Sequence, residues 1–162
     1  MAGVALLAVV LAACSTEPES AEVGVKWEEA KASAQSTARE IIALIPQEDV
    51  VVVGQNATGT LFSCDDARHR WHGTATVEIT SGIDLDSAIK NVERQLNGVL
   101  DVRGEFAVAN RLEFFGDYAV TAKSATTQEA YLLGHWEANS IIIDSWSECF
   151  TLPEGTYLGG DF

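Results

Sequence analysis

Two aspartates and two histidines lie close together in the sequence, and these residue types can bind a transition metal. Asp65, Asp66, His69 and His72 offer carboxylate oxygen and imidazole nitrogen, which are both zinc ligands. No HExxH or CxxC pattern supports such a site, and two flanking arginines would repel a cation. We therefore interpret the segment as an exposed polar loop, with a metal-dependent or other hydrolase that uses the segment Asp65–His72 as the alternative.

One histidine and two serines in the C-terminal part of the chain are the other candidates for catalysis. His135 would need a partnered Ser, Cys or carboxylate to act as a catalytic base. Ser145 and Ser147 are near it in sequence, but neither belongs to a GxSxG motif. We predict that His135 is a half-exposed strand residue, that the chain is not an enzyme and that it needs no cofactor.

Cys14 ends an apolar run of Ala, Val and Leu that begins at Val4. The run has the length of the hydrophobic part of a signal peptide and is shorter than the roughly 20 residues that span a bilayer. The small residues in Leu11-Ala12-Ala13-Cys14 suit a signal peptidase, although no Lys or Arg precedes the run. We predict a lipoprotein signal peptide over residues 1–13 and lipidation of Cys14. The alternative is a buried N-terminal helix that ends at an ordinary cysteine.

The two remaining cysteines, Cys64 and Cys149, form an even pair once Cys14 is lipidated. Outside the cytoplasm an even remainder usually forms a disulfide. Closing a loop of about 86 residues would stabilise the fold by about 4–5 kcal/mol in the chain-entropy account. Two free buried thiols, or a metal held by both, are the alternatives.

The net charge of −14 limits which partners the chain can bind. Nucleic acid and anionic lipid both attract clusters of Lys and Arg, so neither is expected as an electrostatic partner. A link to the membrane must then come from acyl chains on Cys14, and two or more such chains hold a protein firmly. We predict that residues 14–25 are the lipidated cysteine and a flexible acidic tether, at the extracytoplasmic face of the cell membrane.

The remaining residues, 26–162, are expected to form one α+β domain. An apolar stripe from Trp27 to Ile45 predicts an amphipathic helix, which Pro46 ends. Asp84 can cap a second helix that runs to about Leu100. Strands joined by short turns pair antiparallel, which predicts two layers: an antiparallel sheet with two amphipathic helices on one face. The predicted strands cover residues 50–53, 61–64, 71–80, 105–115, 118–124, 129–137 and 140–150.

Several aromatic residues belong to these strands, and some of them must point away from the helices. The consecutive Phe114 and Phe115 would face opposite sides of a strand. An aromatic patch on the open sheet face would be a partner site. We therefore predict a non-enzymatic domain that binds an envelope protein or a small ligand; a carrier of a hydrophobic ligand between helices and sheet is a further alternative. The full aromatic set is Trp71, Phe114, Phe115, Tyr118, Tyr131, Trp136 and Trp146.

Three motifs in the body of the chain, GTLFSCDD, WHGTATVEI and SECFTLPEG, accompany the LAAC sequence at Cys14. With them, the chain resembles small actinobacterial lipoproteins of unknown function over most of its length. The resemblance implies a location in the cell envelope and one disulfide. It carries over no catalytic activity.

Overall fold

The computed structural model describes residues 24–162. The predicted signal peptide, Cys14 and most of the predicted tether lie outside the described residues. The helices in residues 24–162 are α1 (Trp27–Ile42), α2 (Leu85–Glu93) and α3 (Leu96–Leu100), and the strands are β1 (Val50–Gln55), β2 (Thr60–Ser63), β3 (Arg68–Ile79), β4 (Phe106–Leu112), β5 (Tyr118–Ser124), β6 (Ala130–His135), β7 (Ser140–Trp146) and β8 (Phe150–Thr151).

The strands form one antiparallel sheet built around β3, so the predicted α+β class is confirmed. The strand order is β1-β3-β7-β6-β5-β4, and β2 and β8 also pair with β3. The C-terminal half of β3 lies between β1 and β7, while its N-terminal half lies between β2 and β8. Because β3 is 12 residues long, it has room for two partners on each side.

The helices pack on one face of the sheet, where the alternation predicted for β3 places the apolar side chains. Every second residue from Trp71 to Ile79 is buried, and the residues between them are half-buried or exposed. On α1, Ala30, Ala34 and Ala38 are at most 1% exposed, because their short side chains let the helix lie close to the sheet. The main core combines isoleucines of α1 with side chains of α2, α3 and the central strands.

The second predicted helix is broken into α2 and α3. Asp84 caps α2 as predicted, since its Oδ1 accepts a hydrogen bond from the Ser87 amide at 2.8 Å. The break falls at Arg94 and Gln95. Helix α2 packs on β5 and β6, whereas α3 packs on β4 and α1. A straight helix over the whole segment could not follow a twisted sheet from one group of strands to the next.

Three predicted strand ranges are wrong by three or more residues at one end. β3 begins at Arg68, so the predicted polar loop is shorter than expected. β4 ends at Leu112, which leaves Phe114 and Phe115 in the turn before β5. The single strand predicted over 140–150 is two strands, β7 and β8, separated by residues 147–149.

A second, smaller core lies where the N-terminal end of α1 crosses β3. Trp71 is its centre, packed with Phe150, Phe162 and two alanines of α1. The tail after β8 is irregular, as predicted, but its last residue is buried. The carbonyl oxygen of Phe162 accepts hydrogen bonds from Nε1 of Trp71 at 3.1 Å and from the Gly59 amide at 2.6 Å. The tail therefore contributes to the fold.

The predicted disulfide between Cys64 and Cys149 is present, with its Cα atoms 6.3 Å apart. Cys64 follows β2 and Cys149 precedes β8, so the bond joins the two short strands that flank the start of β3. None of the helices between residues 24 and 162 has the length and apolar character that crossing a bilayer requires.

Candidate functional site

The predicted metal ligands do not converge. Oδ1 of Asp65 accepts hydrogen bonds from the backbone amides of Ala67 and Arg68, and the Arg68 side chain binds the same carboxylate. These contacts, led by the Arg68 hydrogen bond, lower the pKa of Asp65 to about 2. His69 and His72 lie three positions apart on β3 and so point to opposite sheet faces. In the part of the chain that the structure describes, no three His, Cys, Asp or Glu side chains are grouped as a metal ion would require.

His135 and the two serines are likewise separate. As predicted, His135 is a half-exposed strand residue, and its neighbours are Asp86, at 2.9 Å from Nε2, and Asp117, at 3.5 Å from Nδ1. Ser147 is used structurally, because its Oγ accepts from the Trp71 amide and donates to the Glu148 carbonyl. The geometry therefore assembles no Ser–His pair from these residues.

Six of the seven predicted aromatic residues fall into three groups, and the seventh, Tyr118, is half-buried and donates a hydrogen bond from its hydroxyl to Glu93 at 2.6 Å. Trp71 and Tyr131 are fully buried in the two cores. Phe114, Phe115 and Trp136 are exposed in the β4–β5 and β6–β7 turns, at the end of the sheet far from Trp71. The prediction that the two phenylalanines face opposite sides of a strand is therefore wrong. Of the predicted set, Trp146 lies on the sheet face that the helices leave uncovered, because it pairs with His72.

Five side chains from three neighbouring strands meet on the uncovered face, and we call them the open-face cluster: Phe62 of β2, Arg70 and His72 of β3, and Asp144 and Trp146 of β7. The strand register brings them together, since Phe62 pairs with Arg70 and His72 pairs with Trp146. The imidazole ring lies 5.6 Å from the ring of Phe62 and 4.7 Å from that of Trp146, centroid to centroid.

The carboxylate of Asp144 is held by the two β3 residues that face it. Its Oδ1 lies 3.3 Å from Nε2 of His72 and accepts a hydrogen bond from the Thr74 hydroxyl at 3.0 Å. The hydrogen bond from His72 is the largest influence on the pKa of Asp144 and lowers it. This effect outweighs partial burial, which acts in the opposite direction. Asp144 is therefore ionised at neutral pH, and it fixes the orientation of the imidazole.

Arg70 adds a cation to the aromatic part of the cluster. Its guanidinium carbon lies 5.9 Å from the ring centroid of Trp146, within cation–π range. One terminal nitrogen donates to the Gln128 carbonyl at 3.3 Å, while Nε is buried without a partner among the described residues. The guanidinium thus retains a free hydrogen-bond donor.

A polar pocket of about 290 Å³ opens beside His72. It lies where β1 stops pairing with β3, at Ala75, and β2 starts pairing, at His72. Carboxamide, hydroxyl and carboxylate groups surround it, so its walls are both donors and acceptors. Its polar lining comprises Asn56, Thr58, Thr60, His72, Thr74 and Asp161.

Glu129 is a buried titratable group outside the cluster. Its side chain is on the helix side of the sheet, 7% exposed, and its carboxylate accepts a hydrogen bond from the Tyr131 hydroxyl. Desolvation raises the pKa of Glu129, and the Tyr131 hydrogen bond and the charge of Arg103 oppose that change only in part. The folded state therefore binds this proton more tightly than the unfolded state does.

We expect Glu129→Gln to flatten the pH dependence of stability. A folded-state pKa above the unfolded value means that the free energy of unfolding falls as pH rises from about 4.5 through the folded pKa. Glutamine cannot ionise, but it keeps the acceptor for Tyr131. Urea unfolding at pH 5 and pH 8 measures the free energy of unfolding at each pH. The decrease between pH 5 and pH 8 should be smaller for the variant than for the wild type. Equal losses would contradict this account of Glu129.

A scan of protein-family models, a search of curated proteins and a search of solved structures each found no match to this chain. The fold and the site define an α+β domain with a mixed aromatic and polar cluster on the uncovered face of its antiparallel sheet.

Proposed function

We propose that this protein is a lipid-anchored envelope domain that binds a small ligand or an envelope protein through the open-face cluster and catalyses no reaction. Two features support the location. The LAAC sequence ends at Cys14 at a distance typical of a lipoprotein signal. The disulfide between Cys64 and Cys149 suits an oxidising compartment outside the cytoplasm.

The observation that carries the binding role is the make-up of the uncovered face. A sheet face that merely contacts water is typically polar. Here Trp146, His72 and Arg70 are half-buried against one another, although no helix in residues 24–162 covers them. Aromatic surface next to a few fixed polar groups is the usual composition of a ligand site.

The alternative of a carrier between the layers has less support. The space between helices and sheet is filled by packed core side chains, among them Ile41, Ile89, Leu96 and Tyr131, which are fully buried. A hydrophobic ligand would have to displace them. The alternative of a hydrolase that uses residues 65–72 also has less support, because His69 and His72 point to opposite faces of the sheet.

The anchor is tested by replacing its acceptor thiol. In a bacterial host fed labelled fatty acid, we expect the wild-type chain to carry the label and to sediment with membranes. The variant Cys14→Ser should carry no label and should leave the membrane fraction, because Cys14 is the proposed attachment point of the acyl chains. A wild-type chain with an intact N-terminus and no fatty acid would overturn the anchor.

The binding surface is tested with the full lipidated protein in detergent micelles and three fractions of cell envelope: glycan, lipid and peptide. We expect one fraction to shift the amide NMR signals of residues near Arg70, His72 and Asp144. Signals of the Phe114–Phe115 turn, at the other end of the sheet, are the internal control. Shifts confined to the helix side, or none with any fraction, would refute the open-face cluster as a binding surface.

A further inference from the structure

We propose that the open-face cluster binds an uncharged saccharide, with a sugar ring lying against the indole of Trp146 and sugar hydroxyls hydrogen-bonded to Asp144. The inference rests on the proposed function, because it names the ligand class of the same surface. A pyranose ring has an apolar face of C–H groups and a rim of hydroxyls, so a site for it needs a flat aromatic ring beside fixed polar groups.

Trp146 provides the flat ring. It pairs with His72 on one side and with Ala130 on the other. Ala130 ends at a methyl group, so β6 itself places no large side chain beside the indole at this position, and the guanidinium that lies over the ring comes from Arg70 of β3. C–H groups stacked on an aromatic face make weak but favourable contacts and bury apolar surface. The half-buried indole is fixed by His72 and Arg70 before any ligand arrives, which lowers the entropic cost of binding.

Asp144 provides the fixed acceptor. Oδ1 is occupied by His72 and Thr74, whereas no described residue donates a hydrogen bond to Oδ2. Hydrogen bonds to an ionised carboxylate are roughly twice as strong as neutral ones. Oδ2 can therefore accept a hydrogen bond from a sugar hydroxyl without displacing either partner of Oδ1.

The neighbouring groups extend the polar side and favour a ligand without charge. The pocket beside His72 offers hydroxyl and amide groups to a second sugar unit, and its polar walls disfavour a hydrocarbon chain. The net charge of −14 repels polyanions such as nucleic acid. Arg70 lies against Trp146 and would repel a cation placed over the same ring.

The experiment uses the full lipidated protein in a detergent without a sugar headgroup, titrated calorimetrically with neutral tetrasaccharides of hexose and of N-acetylhexosamine and with a hexuronate tetrasaccharide. We expect at least one neutral tetrasaccharide to bind and the hexuronate to bind more weakly. Trp146→Ala should weaken binding at least about tenfold, and Asp144→Asn about tenfold, since each removes a principal contact. Trp146→Tyr keeps a flat ring and should lose only about threefold.

Trp136→Ala is the matched control, because Trp136 is 60% exposed in a turn at the opposite end of the sheet. It should leave binding unchanged, and urea unfolding of all four variants verifies that each is folded. Equal losses for Trp136→Ala and Trp146→Ala, or no binding of any neutral tetrasaccharide, would overturn the inference. If, in the NMR experiment, the peptide fraction alone shifts the amide signals of the open-face cluster, the saccharide inference is wrong and the proposed function stands. If no fraction shifts them, both are wrong.

Discussion

Removal of the disulfide by the double substitution Cys64→Ala and Cys149→Ala should lower the free energy of unfolding by about 4–5 kcal/mol. The bonded residues are 85 positions apart, so the bond restricts a long loop in the unfolded chain. The flanking strands β2 and β8 have four and two residues, and within residues 24–162 each pairs only with the start of β3. Strands this short have few hydrogen bonds of their own to keep them in place. Urea unfolding of the variant and of the wild type measures the difference.

Two controls separate the covalent bond from other effects of the substitution. Reduction of the wild type with dithiothreitol should produce the same loss, and reoxidation should reverse it. Cys14→Ser changes a cysteine without touching the pair, so its free energy of unfolding should equal that of the wild type. A loss below about 1 kcal/mol in the double variant would mean that the unfolded chain keeps the two cysteines close without the bond.

The sequence predicted those elements whose pattern is local. The alanine and isoleucine stripe predicted α1, and the alternation after Trp71 predicted both β3 and its buried face. The cap at Asp84 predicted the start of α2. Each of these signals lies within one element, so hydrophobic periodicity was enough to find it.

The open-face cluster could not be predicted in the same way. Thr74 and Asp144, which share a hydrogen bond, are 70 positions apart, and nothing in either segment specifies the register that pairs them. A shift of one residue would turn Asp144 to the helix side. The alternation in residues 140–146 could have placed Asp144 and Trp146 on one face. It could not have indicated that Phe62, Arg70 and His72 lie beside them.

The burial of Phe162 was missed for a related reason. A Gly- and Pro-containing tail predicts irregular structure, and that is what the tail has. Yet the contact that holds its end, from Nε1 of Trp71 to the Phe162 carbonyl, joins residues 91 positions apart. Irregular backbone has no periodicity, so its packing depends wholly on tertiary contacts.

Gly73→Ala should destabilise the fold by about 3 kcal/mol, because the indole of Trp71 occupies the space that a side chain at this position needs. A Cβ on Gly73 would lie 2.0 Å from Cη2 and 2.3 Å from Cζ2 of that ring. Trp71 cannot move aside easily, since it is 1% exposed and hydrogen-bonded to Phe162. The spacing Trp-x-Gly on one strand face is therefore a packing requirement. Urea unfolding compares the variant with the wild type.

Gly134→Ala is the matched control, because it makes the same change in another strand of the same sheet, β6. A Cβ there would have Ala119 at 3.8 Å as its nearest neighbour, which is ordinary van der Waals contact. We expect a change within about 0.5 kcal/mol. Combining Gly73→Ala with Trp71→Phe should cost less than the sum of the single changes, since the smaller ring leaves room for the methyl group. Additive losses of stability in the double variant, or equal losses for the two glycine variants, would show that contact with the indole does not cause the destabilisation. The cause would then be the strand backbone at Gly73.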